Sequence, residues 1–170
     1  MKRKIAFITV SLISIILVFL LYKIYRIQSH KKVVQERIIS LKNVPLIKLD
    51  SSEFKFSISN NYSNFVIIHF NTTCDNCYNE ILDLKNNISS FDKSLIILVS
   101  EEPFQDIQQF QVEYQLNYEN VLLAKMKSED VYQYYGNIIT PSIFVYDKEL
   151  ILKKKFIGET KVQAILDQLD

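Results

Sequence analysis

The chain has 170 residues, 48% of them hydrophobic, and a net charge of +1. The charge is unevenly placed: Lys2, Arg3, Lys4, Lys23, Arg26, Lys31 and Lys32 give the first 32 residues +7 with no acid among them, which leaves the remainder at −6. A nucleic-acid binder needs a basic face on its folded part, so that class is excluded.

The first predicted element is Ile5 to Tyr22, uncharged and mostly Ile, Leu, Val and Phe. About eighteen helical residues span roughly 27 Å, close to the hydrocarbon thickness of a bilayer. Lys4 and Lys23 can snorkel to the two interfaces. The expectation is an uncleaved signal anchor over residues 1–25, embedded in the lipid bilayer through Ile5 to Tyr22. A cleaved signal peptide is the competing reading, but no small-x-small site follows the apolar stretch. Lys2, Arg3 and Lys4 favour a cytoplasmic N-terminus, whereas Lys23, Arg26, Lys31 and Lys32 argue the other way, so charge alone leaves the orientation open.

Residues 26–43 read as a stalk with weak helical spacing at Val34, Ile38 and Leu41, ended by Pro45. A folded domain over residues 44–170 follows. Leu46 and the alternating Phe54, Phe56 and Ile58 predict short strands, and Asn60 to Asn64 a turn. Phe65 to Phe70 and Leu95 to Val99 are continuous apolar runs, as in strands buried on both faces. Cys77, Ile81, Leu84 and Ile88 share one face of a helix ended by Ser89-Ser90. Pro103 opens a helix with Phe104, Ile107, Phe110 and Tyr114 inward. Val121 to Ala124 is a short strand. Ser128 is expected to cap a helix that runs to Tyr135 and is closed by Gly136. Ile143–Tyr146 and Leu150–Lys153 predict a hairpin, and Val162, Ile165, Leu166 and Leu169 a last helix. The order β-β-α-β-α-β-α-β-β-α predicts an α/β sandwich: a central mixed sheet with helices on both faces.

The only cysteines are Cys74 and Cys77, placed between an apolar strand and a helix. A helix start offers free N–H groups to the first sulfur and favours its thiolate, the reactive form. Cys74 is therefore the expected nucleophile. Cys77, one turn inward, is the expected resolving thiol. A zinc site would need four ligands, and only His30 and His69 could join the pair. A structural short-loop disulfide fits the same spacing. Thr140-Pro141, just before an apolar run, suits either a cis peptide or an ordinary strand entry. No cofactor is implied, since the two sulfurs carry the electrons themselves.

Three segments carry a resemblance: Phe65 to Glu80 around the Cys-x-x-Cys, Thr140 to Asp147, and Phe156 to Gly158. Together they resemble the thioredoxin fold, and more narrowly the TlpA/ResA-like family of membrane-anchored thiol–disulfide oxidoreductases, from about Val44 to the C-terminus. The resemblance implies a single-pass protein of the cell (inner) membrane with an extracytoplasmic or periplasmic domain. It implies that this domain reduces protein disulfides, often in cytochrome c maturation, and is fed by a membrane electron donor of thiol type. It places Thr140 and Pro141 at the substrate chain, and Glu80 beside the cysteines for proton transfer, although a solvated helix position would explain Glu80 equally well.

The chain also departs from that family. Thr73 stands where the family has Trp, and Ile68 where the fold frequently carries a polar group beneath the active site. His69, its neighbour, should point to the opposite face as a packed or surface residue. Between the cysteines, Asp75 opposes a thiolate on Cys74 and Asn76 supplies no compensating charge, so a reducing or middle-range couple is expected rather than a strong oxidant. Two other readings remain: a redox-inactive thioredoxin-like binding module at the membrane, suggested by Thr73 and Ile68, and a copper-handling thiol pair, which no Met or His cluster supports.

Overall fold

Two strands without an exposed residue organise the molecule, a computed structural model that describes residues 2–56 and 61–170, with side chains from Leu12 onward. They are β3 (Asn64–His69) and β4 (Ser94–Ser100), paired in parallel and buried along their whole length. Their continuous apolar stretches, Phe65 to Ile68 and Leu95 to Val99, suit this position, since a central strand must satisfy a hydrophobic layer on each side.

Around them lie β1 (Leu46–Lys48), β2 (Glu53–Phe54), β5 (Val121–Lys125), β6 (Ser142–Asp147) and β7 (Leu152–Ile157), in the order β2-β1-β5-β4-β3-β6-β7. β4 and β5 are parallel; β3 with β6, β6 with β7, β1 with β5 and β1 with β2 are antiparallel. The sheet is mixed, as expected. Phe56 lies outside β2, and Ile58 and Asn60 lie outside the described residues.

Strand alternation sends side chains to two layers. Val66, Ile68 and Phe70 meet α2 (Asp75–Asn86), α3 (Phe104–Glu113) and α5 (Val162–Leu166) through Cys77, Ile81, Leu84, Ile107, Phe110, Val162 and Ile165. Phe65 and Ile67 meet α4 (Ser128–Tyr135) through Val131 and Tyr135, together with Ile38, Leu41 and Val44. Helices thus cover both faces.

Some local expectations need correction: the hairpin's second strand is Leu152–Ile157 rather than Leu150–Lys153, and Tyr114 is the C-cap of α3. Lys127, not Ser128, is the N-cap of α4, and Ser128 is its first helical residue. Gly136 closes that helix at φ 75°, its N–H donating to the Tyr132 carbonyl. α2 stops before Ser89-Ser90, because Asn87 caps it and a 3-10 turn over Ile88–Phe91 follows, which buries Phe91. Leu169 lies beyond α5.

α1 spans Lys2–Ile38, and the chain forms two units, Met1–Glu36 and Arg37–Asp170. In the first, the apolar side chains from Leu12 to Ile27 are exposed. By length and composition the helical stretch Leu12–Ile38 could cross a membrane. The side chains of Ile5 to Ser11 lie outside the described ones. The second unit takes in the end of the expected stalk. Ile38 and Leu41 are buried, Leu41 N–H donates to the Leu150 carbonyl, and Leu152 N–H donates to the Ile39 carbonyl.

Candidate active site

The site forms where β3 ends and α2 begins. Phe70 N–H still donates to Val99, and the chain then leaves the sheet. Asn71 shapes the turn: its Oδ1 accepts from the Thr73 N–H at 2.9 Å and the Thr73 hydroxyl at 2.7 Å, an Asx turn that delivers Cys74 to the helix start. Cys74 is the N-cap residue of α2. Its sulfur takes the place of the usual capping oxygen and accepts from the Cys77 N–H at 3.2 Å. This is the helix-start geometry the sequence led us to expect, and it offers a negatively charged sulfur both a donor and the positive end of the helix dipole.

The two sulfurs meet different surroundings. Cys74 is partly exposed, with Thr73, Asp75 and Asn76 exposed around it. Cys77 is fully buried among Ile68, Ile81 and their neighbours. Burial foremost, and the Cys74 thiol beside it, push the Cys77 thiol up to about 12, against the Asn71 backbone and the Thr140 side chain, which pull the other way. Both thiols are free.

Thr140 faces the pair: the Cys74 thiol reaches its carbonyl at 3.7 Å. The Thr140–Pro141 peptide is cis. Ser142 braces the loop from behind, donating its hydroxyl to the Ile139 carbonyl at 2.6 Å. Gly158 lies alongside with φ 83°, a conformation that disfavours any side chain, and its N–H donates to the Pro141 carbonyl at 2.9 Å.

The same turn leads to Glu80. Far from being a solvated helix residue, Glu80 is 1% exposed. Its Oε2 accepts from the Thr160 N–H at 2.6 Å, while Oε1 is buried without a hydrogen-bond partner. Burial, with lesser contributions from Glu159 and Asp83, raises its carboxyl to about 7, in spite of the Thr160 bond. Glu80 sits three residues after Cys77 on α2, so the two side chains are neighbours along the same helix face.

His69 is buried, with Nε2 3.2 Å from the Glu101 carboxylate. This is an ion-pair distance without hydrogen-bond alignment, since neither ring nitrogen has a hydrogen-bond partner. Burial lowers its pKa, and Glu101 acts in the opposite sense. It is a packed histidine, on the strand position next to Ile68, which itself packs with Cys77. Among the described residues no group of three or more His, Cys, Asp or Glu side chains could hold a metal ion.

Sequence reading overlooked Thr160 and Glu102. The Thr160 contact is made by backbone, which leaves no residue-type signal. Glu102 holds Thr72 from thirty residues away, and nothing local marks it.

No protein-family model and no curated protein matches the sequence. Solved structures do. A candidate electron-transfer protein from Aquifex aeolicus superposes with a TM-score of 0.64 at 17% identity, over 77% of this chain and 90% of that one. A thioredoxin-like protein from Aeropyrum pernix gives 0.61 at 11% identity, over 84% and 97%. The fold is thioredoxin-like. A secreted disulfide oxidoreductase of Mycobacterium tuberculosis, homologous to E. coli DsbE, shares this fold with a TM-score of 0.60 at 13% identity, over 78% and 96%.

Proposed function

We propose that the protein is a membrane-tethered thiol–disulfide oxidoreductase of the TlpA/ResA-like kind, which reduces disulfides of extracytoplasmic proteins. The observation that carries this reading is the pairing of a partly exposed sulfur at a helix start with a buried one three residues on, beneath the Thr140–Pro141 loop. The M. tuberculosis protein of the same fold is a disulfide oxidoreductase, which agrees with the reading.

In this mechanism the Cys74 thiolate attacks one sulfur of the substrate disulfide. A mixed disulfide forms, and the other substrate sulfur leaves as a thiolate that takes up a proton. The Cys77 thiol then loses its proton and attacks Cys74. The Cys74–Cys77 disulfide forms and the second substrate thiol is released. Two electrons and two protons have passed to the substrate. A thiol held at about 12 does not ionise unaided near neutral pH, so the second step needs an acceptor. The role falls to Glu80 by the family resemblance, and its position three residues on along α2, its carboxyl at about 7 and its unpartnered oxygen support that assignment. The Thr140 and Pro141 backbone groups receive the substrate chain. Asp75, beside Cys74, disfavours negative charge there and keeps the couple in the reducing or middle range.

The apolar stretch Ile5 to Tyr22 provides the anchor, which the long apolar helix from Leu12 onward supports, and the acidic folded unit lies outside the cytoplasm, fed by a membrane thiol donor. The alternative, a binding module without turnover, draws on Ile68, an apolar residue where the fold frequently has a polar relay. Reduction of insulin by the full chain in detergent micelles separates the two. Dithiothreitol-driven turnover that is lost in Cys74→Ser supports the enzyme, and no turnover above the dithiothreitol background supports the module.

A further inference from the structure

The turn that carries Cys74 is shaped locally by Asn71, but local bonds do not fix where a turn sits over a sheet. Glu102, just past the end of β4, supplies that link. Its Oε2 accepts from the Thr72 N–H at 2.8 Å, and its Oε1 accepts from the Thr72 hydroxyl at 3.1 Å. The carboxylate is held in turn: Ser100, fully buried, donates its hydroxyl to Oε2 at 3.1 Å and accepts the Glu102 N–H at 3.3 Å. A planar carboxylate can take the N–H and O–H of one residue at once, and charge makes both bonds stronger than neutral ones. A groove of about 370 Å³ opens beside the carboxylate, lined by Thr72, Thr73, Glu102, Phe110 and Tyr114 among others.

We propose that Glu102 is a positioning residue for Cys74: by clamping Thr72 to the end of β4, it holds the reactive sulfur against the Cys77 N–H and the Thr140 carbonyl. This rests on the reading of Cys74 as the reacting thiol. The clamp acts two residues before the nucleophile, across thirty residues of sequence, at the edge of that groove.

The test uses the full chain in detergent micelles with Cys77→Ser, so that Cys74 is the one thiol, and measures its rate of alkylation by iodoacetamide across pH. Glu102→Gln and Glu102→Ala both remove the charge, but only Gln keeps an oxygen for the Thr72 N–H. The clamp predicts that Glu102→Gln reacts within about twofold of its parent, and that Glu102→Ala is about tenfold slower than Glu102→Gln with unchanged circular dichroism. Equal rates for the two variants overturn the proposal. Should Glu102→Ala fail to fold, Thr72→Val and Thr72→Ser decide. Thr72→Val loses the hydroxyl bond and slows alkylation about threefold, whereas Thr72→Ser keeps that bond and the parental rate; no difference between them overturns the clamp. Alkylation needs no protein substrate. A chain that reduces no insulin yet shows these ratios refutes the oxidoreductase and keeps the clamp, and the converse result does the opposite.

Discussion

Cys74 and Cys77 stand three residues apart on one helix, yet the fold gives them opposite environments. Cys74 is partly exposed, caps α2, and has exposed polar residues on both sides. Cys77 sits in the apolar layer beneath, with its thiol pushed up to about 12 and a buried carboxyl one turn further on. Chemically identical groups are thereby given different exposure and acidity, and in the proposed mechanism the first meets a visiting disulfide while the second is held back until the first has reacted. The difference comes from helix geometry: one residue is the cap, and the other faces inward with Ile81 and Leu84.

The largest effect that can break this comparison is loss of the outer sulfur. Cys74→Ser is expected to abolish insulin reduction, with turnover at the dithiothreitol background. Residual activity near the parent's would mean that the buried sulfur works alone and that the division is wrong.

The next effect concerns the inner sulfur's proton. Glu80→Gln should slow turnover on the order of 10- to 100-fold at pH 8. The parent's rate should rise with pH through about 7, as Glu80 becomes an acceptor, and the variant should lose that inflection. Stopped-flow decay of a preformed mixed disulfide reads this step directly.

Glu80 also makes a stability prediction. Its carboxyl binds a proton more tightly folded than unfolded, because about 7 lies above the usual 4.5. Stability contributed by the protonated form is therefore present below pH 4.5 and is lost as pH rises through 7. Chemical denaturation should find Glu80→Gln more stable than the parent at pH 8, on the order of 2 kcal/mol, and about equal to it at pH 4. The same difference at both pH values would contradict the burial argument.

The smallest effect tunes the outer sulfur. Asp75→Asn removes a charge beside Cys74 and should shift the equilibrium with glutathione toward the dithiol by about fivefold. An unchanged equilibrium would show that solvent screens Asp75 completely.

Much of this arrangement was legible in the sequence because its signals are local. The uninterrupted apolar runs at Phe65 and Leu95 identified the central strands, and the Cys spacing before a helix identified the cap and the inward residue. Gly136 marked the end of α4 for the same reason. Glu80 was legible as a position and not as an environment: its spacing on α2 is local, but its burial depends on the Gly158–Thr160 turn folding over it. The Glu102 clamp and the absorption of Ile38 and Leu41 into the second unit also depend on long-range contacts. Helical spacing at Val34, Ile38 and Leu41 suggested a stalk, since nothing local reveals that the hairpin around Leu150 would receive it. Ser128 misled because a good capping residue next to the cap looks the same in sequence as the cap itself.

The most direct test of the division between the sulfurs is to trap the intermediate. Full-length Cys77→Ser, challenged with a disulfide-bonded protein and analysed by peptide mass spectrometry, should accumulate one covalent adduct per chain, joined through Cys74. If no adduct forms under conditions in which the parent reduces that protein, the outer sulfur is not the attacking one.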